Sequence, residues 1–505
     1  MSGTVFFQTS VLLPYLFSYV IASYLVYAFL SPTTGMFNHI LTVMGKDPVS
    51  WYMESKFWPF ILTFVELWKR SGYTAIVYYA TMVGIDSSLY EAAELDGAGK
   101  LKQIFSITIP LISPTIVMMS LLSVGRIFHS DFGLFYQIPM QSGIISSVTS
   151  TIDTYVYNGL MKLGDVGMSS AASFYQSIVG FILVMFSNWL VKKEKYGREP
   201  VLSMDTTTKK KKHVSGVTVV SYIVLALLSL SAILPFVLMF TSSISSEESI
   251  TRNGYSFIPS EFSLAAYEYL WGNRAIIGRA YLTTIVIAVM GTAISLAITL
   301  MLAYTLSREN LPGRKVLNFL VLFTMLFNGG LVATYLVYTE VFHIKNTYWA
   351  LLIPGLLMNA FNVMLARNFF SNSIPKPLIE AALIDGATEF QVFQRIVLPI
   401  SLPIIATLGM FIFMAYWNDW NNGLYYLTDP RYYNIQNVLN DMLANIQFLK
   451  NNSEISGEMM AAVSNLPTSG VRMAIASAVA IPVLAVFPCF ERYFVKGIVI
   501  GGVKE

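Results

Sequence analysis

Residues 91–114 read EAAELDGAGKLKQIFSITIPLISP, and residues 380–403 read EAALIDGATEFQVFQRIVLPISLP. Shifting the first by 289 residues aligns Glu91 with Glu380, Ala92 with Ala381, Ala93 with Ala382, Asp96 with Asp385, Gly97 with Gly386 and Ala98 with Ala387. It also aligns Ile107 with Ile396, Pro110 with Pro399 and Pro114 with Pro403, so nine of 24 positions are identical without a gap. Each copy leads into an apolar stretch. One match could be chance, but a repeat at fixed spacing marks a duplicated unit. The chain therefore holds two homologous membrane units.

Composition sets the class. The 505 residues are 55% hydrophobic and 12% charged, with a mean hydropathy of +0.59, too apolar for a soluble protein. A hydrocarbon core of ~30 Å needs ~20 helical residues, and only helices or closed barrels satisfy their backbone there. The sequence predicts an all-α polytopic protein of about ten spans. Four fall in the first unit (10–30, 57–84, 110–134, 170–191) and six in the second (216–240, 280–306, 316–337, 347–370, 399–424, 471–494). The single cysteine, Cys489, rules out an intramolecular disulfide and reads as packing. Four scattered histidines, His39, His129, His213 and His343, predict no metal site. The net charge of +3 gives no reason to expect nucleic acid. Met1–Ser10 lacks the basic start of a signal peptide.

Charge placement orients the spans. With the N-terminus inside, the inner loops hold 18 lysines and arginines and the outer loops nine, as the positive-inside tendency requires. Lys192, Lys193, Lys195 and Arg198 end the first unit, and Met204 opens a polar leader carrying Lys209–Lys212. Such a run reads as a topology anchor beside anionic lipid. The expected division is 1–203 and 204–505.

Glu-Ala-Ala, a glycine six residues after the glutamate and a later Ile-x-[Ile/Leu]-Pro resemble the EAA loop of ABC-importer permeases. The flanks Phe369–Pro375 and Gly84–Tyr90, with Trp417-Asn-Asp-Trp420, look like the carbohydrate-uptake permeases, the family of the maltose-transporter pair. The resemblance covers about 10–192 and 204–505. Such permeases have six core spans; the first unit is expected to lack two N-terminal helices, through truncation or because another polypeptide supplies them.

The resemblance implies an importer component of a bacterial cytoplasmic membrane, multi-pass, with both termini cytoplasmic. It implies an ABC ATPase dimer on the cytoplasmic face, an extracytoplasmic solute-binding protein and a sugar or oligosaccharide substrate. Glu91, Ala92, Ala93, Asp96 and Gly97, with Glu380, Ala381, Ala382, Asp385 and Gly386, would dock on that ATPase. The plainer alternative is a polar helix capping a membrane hairpin. A glutamate opening a short helix suits the helix dipole, and the glycine permits a tight turn. No catalytic residue or bound cofactor is expected of this chain itself. Asp96-Gly-Ala-Gly-Lys100 mimics a phosphate loop but has Glu94 and Leu101 where Gly and Ser or Thr belong. ATP and magnesium would therefore sit at the partner ATPase.

Polar residues within spans are the substrate-pathway candidates, because intramembrane charges usually face a wet cavity. Glu66, Lys69 and Arg70 fall mid-span, although Glu66 can pair with either cation at i+3 or i+4. By distance to the first EAA loop, Trp68 and Tyr73 match sugar-contacting positions of maltose-type permeases, where ring faces stack on sugars. Arg126 and His129 interrupt an apolar span, and the offset sets His129 opposite Asn418, beside Trp417 and Asp419. Asn359 and Asn362 complete the set, though amides also knit helices together. An ion-coupled secondary transporter is the alternative reading; it accounts for a repeat but not for a duplicated EAA loop.

Overall fold

The computed structural model describes residues 3–83, 85–125, 127–195, 216–327, 329–442 and 468–500. Arg126 and the 196–215 linker, with Lys209–Lys212 and the expected unit boundary, lie outside the described residues, as does the side chain of Cys489. The described chain is helical, with an isolated antiparallel bridge between Ser245 and Phe262.

The first unit comprises α1 (Gly3–Leu12), α2 (Tyr19–Leu30), α3 (Trp58–Val83), α4 (Ser87–Leu95), α5 (Ile109–Gly125) and α6 (Val166–Lys195). The second comprises α7 (Gly216–Ser243), α8 (Arg274–Ser307), α9 (Arg314–Leu326), α10 (Gly330–Leu336), α11 (Ala360–Ser373), α12 (Lys376–Ile384), α13 (Leu402–Trp417) and α14 (Thr468–Ile500). Among the described residues four helices are long and apolar enough to cross a membrane by length and composition, or six if each of two bent pairs is one span. The ten expected spans are thus not all matched. α3 carries three charges mid-helix, α5 has 17 residues and α11 has 14. The expected 110–134 span stops at Gly125, and 347–370 is broken ahead of α11, where Pro354 precedes Gly355 at φ 70°.

The expected 10–30 and 316–337 spans are each broken. Thr9–Leu16 meets Tyr19–Leu30 at 105°, and Arg314–Met325 meets Gly330–Val341 at 109°. In the first, Pro14 sits in a 3₁₀ turn, and Ser18 caps α2 by accepting from Ile21 N. A broken helix pair thus stands upstream of the motif in both units. Residues 31–57 form the long connection between α2 and α3, where Asn38 Oδ1 accepts from Val49 N and Trp51 Nε1, both at 3.0 Å.

The units interlock. α2 packs on α14, α10 packs on α6, and α7 lies across α1 and α2. Gly330, at φ 85°, lets α10 close on α6; a Cβ there would stand 2.7 Å from Ser173 Cβ. In the second unit α8 covers α11 and α13, burying Val363, Ala366 and Leu408 completely. By the 289-residue offset their counterparts are Thr74, Val77 and Met119, all part-exposed, and among the described residues no helix takes the place of α8.

Close approach of α8 and α13 rests on Gly291, whose Cβ would fall 2.5 Å from Tyr416 Cζ. Tyr416 cannot swing away, because it is 2% exposed and its hydroxyl donates to Leu352 O at 2.9 Å. Gly291→Val is therefore expected to destabilise the membrane-embedded protein by ~1–3 kcal/mol, the usual cost of overpacking. Thermal unfolding in detergent checks this, and an unchanged midpoint would contradict the packing account.

Candidate functional site

The two EAA segments fold alike. α4 begins after Asp86, whose Oδ1 accepts from Ser88 N at 2.9 Å, and this backbone bond holds the Asp86 carboxyl below its ordinary range. α12 begins after Pro375. Both end in a left-handed glycine, Gly97 at φ 75° and Gly386 at φ 85°. The next amide returns to the helix: Ala98 N donates to Ala93 O at 2.8 Å and Ala387 N to Ala382 O at 3.0 Å. This closing turn favours glycine because a Cβ is strained there. Beyond it the repeat continues as π turns at Ile104–Thr108 and Phe393–Val397, just before Pro110 and Pro399 remove a helix hydrogen bond.

Glu91 and Glu380 are each the fifth residue of a nine-residue helix, not its start. The dipole argument therefore belongs to Asp86. Glu91, Gly97, Glu380, Ala381, Asp385 and Gly386 are exposed, while Ala92, Ala93, Asp96 and Ala382 are half-buried. Sequence reasoning missed the apolar members of this surface. Leu95 and Ile384, one aligned pair, are 78% and 85% exposed, and Leu101 and Phe390, another, are 55% and 64% exposed. Their signal was an apolar residue at the same place in both copies of a polar loop.

The loops differ in anchoring. Glu389 takes Arg308 at 3.0 Å and the Tyr304 hydroxyl at 2.5 Å, both from the end of α8 or just beyond it. Lys376 pairs with Glu309 at 2.7 Å, and its hydrogen bond and charge hold that carboxyl below its ordinary range. Lys100, at the place of Glu389, turns inward instead to Glu94 and to Gln103 Oε1 at 3.2 Å.

The mid-span polar residues converge on the break between α1 and α2. Leu16 O accepts from Asn418 Nδ2 at 2.7 Å, and Pro14 O and Phe17 O accept from Lys69 Nζ. A helix broken within a membrane frees carbonyls that neighbouring donors must satisfy. Lys69 and Asn418 do so here, a role that periodicity could not reveal. Arg70 pairs with Glu66 and with Asp131, both at 2.5 Å, and Tyr19 OH donates to Glu66 at 2.8 Å. Of the two pairings foreseen for Glu66, the i,i+4 one forms and Lys69 goes to backbone.

Trp68 stacks on Phe236, with its Nε1 donating to Ser231 O at 3.0 Å, and Tyr73 stacks on Tyr15 with centroids 4.6 Å apart. The first contact runs across the two units. Trp417 is 4% exposed against Phe413. Asp419 Oδ1 accepts from Asn422 N at 3.2 Å. His129 Nδ1 lies 3.8 Å from Asp153 Oδ1, which belongs to a cluster with Ser130 and Gln176. Asn359 caps α11 by accepting from Asn362 N at 3.2 Å. Among the described residues no group of histidine, cysteine or carboxylate side chains could hold a metal.

Comparison with known proteins places this architecture. The family profile described as "Binding-protein-dependent transport system inner membrane component" matches residues 3–196 and again 295–500. The polygalacturonan/rhamnogalacturonan transport system permease protein YtcP of Bacillus subtilis (strain 168) is 38% identical over 282 residues, 55% of this chain and 95% of the relative. Protein LplC of the same organism is 36% identical over 272 residues, 54% of this chain and 89% of LplC. A crystal structure of a bacterial ABC transporter involved in import of the acidic polysaccharide alginate matches with a TM-score of 0.50 at 27% identity. It covers 56% of this chain and 100% of that one.

Proposed function

The chain belongs to the family of binding-protein-dependent transport system inner membrane components, and from that premise we propose how its two permease units work. It is a multi-pass inner-membrane protein and the translocating part of an ABC importer for oligosaccharides. In our reading α4 and α12 each seat on one subunit of an ATPase dimer, which holds the ATP and magnesium and does the hydrolysis. The coupling loops and both termini are then cytoplasmic, and a solute-binding protein delivers sugar to the opposite face. The substrate is an acidic polysaccharide fragment, as for the alginate importer.

One observation carries this reading: both copies present the same exposed apolar pair, Leu95 with Leu101 and Ile384 with Phe390, around a rigid glycine turn. Apolar side chains held out from an otherwise polar loop need a partner groove. Burying one is worth ~1.5–3 kcal/mol. Leu95→Glu combined with Ile384→Glu should therefore reduce co-purification of the ATPase roughly tenfold or more while membrane insertion holds. Uptake into vesicles loaded with ATP, compared with uptake driven by an ion gradient alone, tests the function itself. Uptake on the gradient without nucleotide would favour the secondary-transporter reading.

A further inference from the structure

α5 and α13 each start at a coupling loop and run to the far side of the molecule, so the residues after them share the face remote from both loops. There the short helix Phe132–Gln137 of the first unit meets the Asn421–Tyr426 helix and residues 433–441 of the second. Between them lies a cleft of ≈ 200 Å³, open on one side to solvent. Its floor is buried: Tyr136 is 5% exposed, Gln137 2% and Asn437 4%. Gln137 Nε2 donates across the units to Asn440 Oδ1 at 2.8 Å. Gly423 keeps the floor low, because a Cβ there would strike Asn437 Oδ1 at 1.9 Å.

The rim is strained and charged. Met140 and Gln141 hold φ of 52° and 53°, left-handed values that non-glycine residues seldom adopt and that recur at binding sites. Gln141 Oε1, on the rim, accepts at 2.5 Å from Lys162 Nζ, an exposed ammonium that stands just outside the lining, 6.0 Å from the centre of the Tyr136 ring. Among the described residues no carboxylate lies within ion-pair distance of Lys162. Part-burial lowers its pKa, as expected for a cation short of a counter-charge. On the other side stand the half-buried Tyr433 and the exposed carboxylate of Asp441.

We propose that this cleft is an entry subsite for an acidic oligosaccharide, with Lys162 pairing to a uronate carboxylate. Tyr433 offers a ring face, while Gln141 and Asp441 meet sugar hydroxyls. An ammonium beside an aromatic ring discriminates charge, and the amides supply the hydrogen bonds a pyranose needs. The proposal rests on the importer reading above, and its test separates the two.

The probe is trigalacturonate, set against its methyl ester, on the full chain in lipid nanodiscs. Binding is followed by tryptophan emission, since Trp420 stacks on Tyr136 at 5.8 Å. Lys162→Met should weaken binding of the acid about tenfold, the factor for loss of one charge-assisted contact of ~1.4 kcal/mol. Lys162→Arg should restore it, and the ester should bind wild type and Lys162→Met alike. The subsite is overturned if wild type does not bind the acid, or if Lys162→Met binds it as tightly. ATP-driven uptake by the assembled transporter is scored separately. Uptake whose KM ignores Lys162→Met removes the subsite and leaves the importer reading intact, whereas absence of any ATP-driven sugar uptake removes that reading itself.

Discussion

Valine at both Gly97 and Gly386 is expected to cut ATP-driven uptake by roughly tenfold or more while leaving the protein inserted and folded. Both glycines sit at positive φ, where a β-branched residue costs ~1–3 kcal/mol. Nothing lies within 4 Å of a Cβ built on Gly386, so the penalty there comes from backbone conformation and not from collision. The chain would relieve it by opening the turn that orients α12 and its exposed Ile384. A matched control sits in the first loop. Gly99 has φ −66° and an equally open surrounding, so Gly99→Val should transport normally. Uptake is to be measured at matched protein level, together with ATPase activity. If the double variant transports as well as Gly99→Val, rigid loop geometry is not what couples hydrolysis to transport.

Lys69→Met should be the most damaging single change in the first unit. Lys69 is 7% exposed, and its ammonium lies 4.7 Å from the centre of the Tyr19 ring while donating to two carbonyls of the broken helix. Methionine fills the volume but donates nothing, which leaves Pro14 O and Phe17 O unpaired away from water. Each such group costs ~1–3 kcal/mol, so the total is ~2–6 kcal/mol, enough to unfold a marginal membrane bundle. Asn418→Leu removes the third donor, to Leu16 O, and should cost less, about 1–3 kcal/mol. Fluorescence-detected size exclusion after a temperature ramp reads both changes. A Lys69→Met midpoint equal to wild type would mean that the break between α1 and α2 holds without its lysine.

The duplicated motif made much of the site legible. Helix, glycine turn and following proline are local features written in consecutive residues, so 91–114 and 380–403 could be read directly as two like helix–turn segments. Hydropathy likewise marked α7, α8 and α13, where apolar composition is uniform enough to stand without context. It overreached at 10–30 and 316–337, because apolar content does not reveal a bend. The bend depends on whether distant donors stand ready to take the freed carbonyls. For Trp68, Tyr73 and Asn418 a polar or aromatic side chain in a span shows that it needs a partner, but not which one.

The sequence by itself determined a helical membrane protein of two related units, and the place of its two repeated helix–turn loops, because periodicity, hydropathy and turn chemistry act over a few residues. Only the tertiary structure decided that Lys69 and Asn418 hold a broken helix, that α2 and α10 each pack on the other unit, and that the far ends of α5 and α13 enclose a cleft beside Lys162. Those outcomes join residues 402 positions apart, as Leu16 and Asn418 are, or further, as in the packing of α2 on α14. They follow from the need to satisfy every buried polar group at once, a condition on the whole packed molecule that no single stretch of the chain expresses.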